Sequence, residues 1–199
     1  MKLYGSKTSP YVRLCRLVAE RRGLSGEVEF TPVDPYADEA FRKVNPLGRV
    51  PALLLADGTA LCDSGVIVRY LDTLGGAPSL FEPEGLTRTE VDAHATLAMG
   101  VLELGVANFL EGRRPEDERS AHWLARRRTG IEAGLEEMDR IARGLPESAG
   151  LADIAFAVAC DWLAFRMPDI GWRQHGALSE RVLRSLAAAP FEATDPRKA

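Results

Sequence analysis

The chain places Val50-Pro51 at the entrance to the apolar run Ala52-Leu53-Leu54-Leu55, and Asp63-Ser64 at the start of the helical pattern that follows. Proline is the residue at which a cis peptide is readily accessible. A cis bond ahead of Pro51 turns the Val50 N–H and C=O outward, where they can pair with an extended peptide. A helix start carries N–H groups without intrahelical acceptors and a positive potential, which together attract a carboxylate. This segment therefore offers a rail for a peptide backbone and a socket for its acid end. A third feature lies near the N-terminus. Pro10 suits the first helical position, which makes Ser9 the N-cap. A hydroxyl both accepts and donates, so Ser9 can cap the helix and still aim a proton at a partner. Thr8 and Ser6 are alternative donors in the same stretch.

Each of these residues also has a plainer use. Asp and Ser are favoured helix caps, and proline often opens a strand. The separation of Val50-Pro51 from Asp63-Ser64 is what points to a ligand. Cys15, Cys62 and Cys160 lie far apart without metal-ligand spacing, and their odd number argues against a disulfide framework. Cys62 abuts the binding pair, but a hairpin core position accounts for it. His94, His122 and His175 are scattered and form no catalytic or metal-like constellation.

The chain of 199 residues is 46% hydrophobic and 27% charged, enough for one large domain or two small ones. A net charge of -4 argues against a nucleic-acid surface, and Arg126-Arg127-Arg128 reads as a solvated helix face. No apolar run approaches the length that spans a membrane. A reducing, cytoplasmic setting fits the cysteine usage.

The elements that must position these residues follow from periodicity and turn chemistry. Lys2–Tyr4 reads as a strand, Pro10–Arg22 as a helix with Arg13, Arg16 and Glu20 off its apolar face, and Glu27–Val33 as a second strand. A short helix is predicted over Asp38–Val44, ending before Asn45-Pro46. Asp57-Gly58 joins Ala52–Leu55 and Ala60–Cys62 in a hairpin. Ser64–Leu74 is a helix stopped by Gly75-Gly76. The order is βαβαββα, a thioredoxin-like domain over residues 1–77, followed by a Pro- and Gly-marked linker over 78–86. Beyond it, residues 87–199 read as an all-helical domain. Thr87 and Glu90 form a capping-box signature for a helix running toward Leu110. A second helix is predicted over Glu116–Leu145. Leu151–Phe165 is apolar nearly all round, as a central bundle helix must be. A last helix is expected over Leu178–Ala188, ended by Pro190.

These residues give the chain a specific resemblance. Ser9-Pro10-Tyr11-Val12-Arg13, the run from Asn45 to Leu55, Asp63-Ser64, and Leu151-Ala152-Asp153-Ile154-Ala155 with Trp162 to Arg166 resemble the cytosolic glutathione S-transferase superfamily over nearly the whole length. The chain looks most similar to bacterial transferase-like proteins whose first helix opens with Thr-Ser-Pro. The resemblance implies that Val50 pairs with the cysteinyl backbone of glutathione and that Asp63 and Ser64 hold its γ-glutamyl end. It implies that Arg49 approaches the glycyl carboxylate and that Ser9 directs its proton to the sulfur. It further implies glutathione as co-substrate, no metal, a homodimer, and a hydrophobic electrophile received by Tyr11, Met99, Glu103 and Phe109. Ser9-Pro10-Tyr11-Val12 overlays the Cys-Pro-Tyr-Cys motif of glutaredoxins with both sulfurs replaced, which removes redox chemistry through a protein thiol at that position. Gly150 stands where the family usually has a Ser or Thr cap ahead of Asp153. The competing expectation is a non-catalytic interaction or regulatory protein of the same fold, of the stringent-starvation protein A type.

Overall fold

In a computed structural model describing residues 1–76 and 78–198, β1 (Lys2–Gly5) runs through the middle of a mixed four-stranded sheet. The sheet order is β2-β1-β3-β4, with β2 at Glu29–Pro32, β3 at Ala52–Leu54 and β4 at Ala60–Cys62. β1 pairs with β2 in parallel, Leu3 opposite Phe30, and with β3 antiparallel, Leu3 opposite Leu53. β3 and β4 form the hairpin, Leu53 opposite Leu61. Leu3 and Leu53 are fully buried because they lie on the inner face of central strands. Helices α1 (Pro10–Arg21) and α2 (Ser64–Leu74) cover that face with Leu14, Cys15, Leu17, Val18, Ile67, Val68 and Leu71.

The predicted Asp38–Val44 helix is only a 3-10 turn at Phe41–Lys43. The Asp38 carboxylate accepts from the Phe41 N–H at 2.9 Å, and Phe41 buries its ring beside Tyr4, so one turn suffices to anchor the crossover. The topology of the small unit is therefore βαβββα with a 3-10 turn in place of the second helix.

The helical unit, Phe81–Ala187, contains α3 (Arg88–Gly112), α4 (Ala121–Ala142), α5 (Leu151–Arg166) and α6 (Gly176–Leu186). The Thr87 capping box is present in full. α4 starts later than predicted: Pro115 opens a separate 3-10 turn over Glu116–Glu118, and Ser120 caps the helix through the Trp123 N–H. α5 is buried without a break from Ile154 to Leu163. Gly150 caps it with φ +61, a conformation that glycine adopts without a Cβ penalty. No side chain caps the first turn; Asp153 instead reaches back beyond the cap, accepting from the Ala149 N–H at 2.6 Å and pairing with Arg181. By length and composition α3 is apolar enough to cross a membrane, contrary to the expectation that no such run exists. Its Val91, Ala95, Ala98, Val101, Leu102 and Gly105 are buried within the bundle, which accounts for a part of that composition.

The units also divide differently from the predicted 1–77, 78–86 and 87–199. The first holds Met1–Leu80, and from Ala188 onward the chain returns to it; residue 77 lies outside the described residues. Pro190 opens a further short helix, α7 (Ala189–Ala193), instead of ending the one before. The returning segment is held by Arg13, expected off the apolar face and found 5% exposed. Its guanidinium donates to Thr194 Oγ1 at 3.2 Å and to the Phe191 carbonyl at 2.9 Å, and lies over the Phe191 ring. A second buried network holds the chain's exit from the sheet. Arg22 Nε lies 3.2 Å from Asp72 Oδ1, an ion pair without hydrogen-bond alignment. Asp72 also accepts from Ser79 Oγ at 2.7 Å and from the Leu80 N–H at 2.8 Å.

Candidate functional site

The strand directions decide where the candidate residues gather. β1 ends at Gly5, opposite the start of β3, and β4 ends at Cys62, opposite Ala52. The loop leading to Ser9, the Val50-Pro51 bond and the Asp63-Ser64 pair therefore share one end of the sheet. Gly5 lets the first turn of α1 close onto that end, since a Cβ there would stand 2.5 Å from Val12 Cγ2. Cys15 Sγ lies 3.9 Å from the Ser64 carbonyl, which brings the first helix beside the start of α2. Burial pushes the Cys15 thiol far up and that of Cys160 likewise, so both remain protonated packing groups. Burial also raises Cys62.

The Val50-Pro51 peptide is cis. Among the described residues neither the Val50 N–H nor its C=O has a backbone partner. Asn45, 2% exposed, holds the loop in front of it: its Nδ2 donates to the Arg49 carbonyl at 2.7 Å and its Oδ1 accepts from the Leu47 N–H at 3.1 Å. Arg49 itself extends into solvent.

Asp63 is the one non-glycine residue with positive φ among those described, at +77. Such a conformation costs on the order of 1–3 kcal/mol and persists where surrounding structure enforces it. Its Oδ1 accepts from the Gly65 N–H at 2.7 Å, leaving the second oxygen toward solvent. Ser64 is 8% exposed. Its hydroxyl, its N–H and the N–H of Val66 have no acceptor or donor partner among the described residues. Two orphan N–H groups and a hydroxyl at a helix start form an anion socket.

Ser9 is the N-cap of α1, with Pro10 in the first turn. Its oxygen accepts from the Val12 N–H at a long 3.4 Å. The serine is half-buried, as is Thr8. The expected substrate liners on α3 fall on two faces of that helix. Met99 and Glu103 stand a turn apart on α3, whereas Phe109 lies about 80–120° around the helix from them, edge-on to Trp162 of α5 at 5.9 Å. Tyr11 is half-buried in α1.

Two family matches cover most of the chain: the glutathione S-transferase N-terminal domain over residues 3–79 and the glutathione S-transferase C-terminal domain over 121–184. The GST-like protein YibF of Escherichia coli K12 is 32% identical over the full length of both chains. The chain belongs to the glutathione S-transferase superfamily. A solved family member from Methylobacillus flagellatus, with glutathione bound, is 34% identical, covers 98% of each chain and superposes with a TM-score of 0.90. Another from Pseudomonas fluorescens Pf-5 is 30% identical over 98% of each chain with a TM-score of 0.88, and also holds glutathione. A further structure from that organism holds S-(propanoic acid)-glutathione. Two contributions in this transferase-family chain escaped the sequence reading. One is Asn45 as the clamp of the loop before Val50, signalled only by an Asn two residues ahead of Leu47, the spacing of an Asx-turn. The other is the strained backbone of Asp63, for which the sequence has no signal.

Proposed function

We propose that this chain binds glutathione along the sheet end described above and stabilises its thiolate for attack on a hydrophobic electrophile. The observation that carries the reading is the coincidence of three open features at one sheet end: the Val50 backbone, the Asp63-Ser64 helix start and the Ser9 hydroxyl. β1 and β4 lie two strand spacings apart, on the order of 10 Å. That is about the reach of three extended residues, the size of a tripeptide. Glutathione in solved relatives supports the same ligand here.

In this reading the Val50 N–H and C=O pair with the cysteinyl unit. Ser64 and the free N–H groups of α2 receive the γ-glutamyl carboxylate, and the exposed Asp63 oxygen meets its ammonium. Arg49 faces the glycyl carboxylate. The Ser9 O–H donates to the sulfur, and the positive end of α1 adds to the stabilisation of the anion. The thiolate then attacks a hydrophobic electrophile, a reaction accelerated by bringing together two reactants that seldom meet. A homodimer in the cytoplasm is the working form we infer, supported by an apolar α3 of which only a third of the most apolar window is buried; sedimentation tests it. The test of the binding reading is calorimetric titration with glutathione: wild type binds, and Asp63→Ala binds at least tenfold more weakly. Absence of binding by the wild type overturns it.

A further inference from the structure

Arg113, at the C-cap of α3, and Arg166, the last residue of α5, bring two guanidiniums to the same aromatic ring. Arg113 Cζ lies 5.7 Å and Arg166 Cζ 5.1 Å from the centroid of Phe109, and Arg166 also stacks on Phe165 at 4.0 Å. Phe109 is in turn braced edge-on by the buried Trp162. Arginines of this unit commonly have carboxylate partners: Arg128 pairs with Glu132 and Asp169, Arg140 with Glu137, Arg181 with Asp153. Among the described residues neither Arg113 nor Arg166 has one. Glu111, two positions before Arg113, is already committed to the Ser120 N–H and to Arg127.

Two guanidiniums against one ring, neither with a carboxylate partner among the described residues, are a geometry that an anion completes. Stacking on an aromatic face engages the flat side of a guanidinium and leaves its in-plane N–H fork free, the fork that matches a carboxylate bidentately. The rings hold both forks in place before any ligand arrives, which lowers the ordering cost of binding. Burial, and then the neighbouring Arg113, lower the proton affinity of Arg166, as expected for a cation short of a partner. The surrounding Phe109 and Phe165 suit a flat, unsaturated body attached to the acid group.

We propose that Arg113 and Arg166, set against Phe109, form a binding site for the carboxylate of a flat aromatic or unsaturated acid. The site lies within the helical unit and involves no bond making; the carboxylate is the handle that the arginines hold.

The experiment titrates 3,5-dinitrobenzoate and its neutral counterpart 1,3-dinitrobenzene by calorimetry. In Arg166→Gln and in Arg113→Gln the anionic-to-neutral affinity ratio falls by roughly ten- to a hundredfold, as loss of a charged hydrogen bond implies. Arg166→Lys recovers only part of the ratio, since it keeps the charge and loses the fork. Arg114→Gln, which alters an exposed pair with Glu118, leaves the ratio at the wild-type value. Equal binding of both probes by the wild type, or an unchanged ratio in both glutamine variants, overturns the site. Arg113 is exposed at a helix end, so its variant remains informative should Arg166→Gln fail to fold.

Discussion

Replacement of Ser9 by alanine removes one hydroxyl from the mouth of α1, and its effect on a bound thiol can be worked from the geometry. The Ser9 oxygen is only loosely engaged, 3.4 Å from the Val12 N–H, so its proton is available to the sulfur. A hydrogen bond to a charged group contributes about 1.5–3 kcal/mol, and one pKa unit corresponds to about 1.4 kcal/mol. The hydroxyl thus lowers the bound thiol by roughly 1–2 units. The helix potential adds about 0.3–1 kcal/mol, which is less than one unit, and survives the substitution because α1 remains. From a free value of about 8.5, the wild-type complex titrates near or below neutrality and Ser9→Ala returns toward 8. The assay is a pH titration of the thiolate ultraviolet absorbance of bound glutathione. Alanine also removes the cap, which costs about 1 kcal/mol, whereas glycine at an N-cap costs only a few tenths. Ser9→Gly therefore separates the two roles: it gives the same titration shift with little loss of stability. An unshifted titration in both variants refutes the reasoning, and a shift in Thr8→Ala instead moves the donor to Thr8.

Asp63→Gly relieves the backbone at φ +77 while removing the carboxylate; the unfolding midpoint in urea holds or rises, and retention on immobilised glutathione is lost. Asp72→Ala leaves the Arg22 guanidinium buried without its counter-ion and lowers unfolding free energy by about 3–5 kcal/mol, measured by denaturant titration. His94 sets a pH dependence whose sign is fixed by burial, which lowers its pKa ahead of opposing Glu90 and reinforcing Arg140. A depressed folded value makes the unfolded chain bind more protons, so stability is full above about pH 6.5 and declines as the pH falls through that window. His94→Gln removes this shallow loss between neutrality and pH 5, read as the change in urea midpoint. Asp169, lowered chiefly by its hydrogen bond from Arg128, adds a separate loss only below about pH 4, which Arg128→Gln abolishes.

Where a signal is local, the sequence carried it. Thr87 and Glu90 specify their helix start with side chains three residues apart, and Asp57-Gly58 specifies its turn with no help from elsewhere. The cis bond at Pro51 and the cap at Ser9 also depend on adjacent residues. What remained hidden depends on partners distant in the chain. Arg13 reads as a surface residue until Phe191 and Thr194 arrive with its acceptors. Asp38–Val44 has a helical composition, yet the burial of Phe41 beside Tyr4 is achieved in one turn. Phe109 reads as a companion of Met99 and Glu103, whereas Trp162, Arg113 and Arg166 claim it from another side of α3. Nor does any pattern in residues 60–66 foretell the backbone at Asp63, because side-chain preference there is overruled by the strand and helix on either side.

The return of the later segment to Arg13 also bears on how the small unit is completed. Its sheet and two covering helices lie within the stretch Met1–Leu80, yet the acceptors for one of their buried cations come from Phe191 and Thr194, with the helical unit intervening in the chain. Until that segment docks, the small unit carries an unsatisfied guanidinium in its interior. Closure of the small unit is thus a long-range event, and removal of Phe191 and Thr194 would strand a buried charge at Arg13.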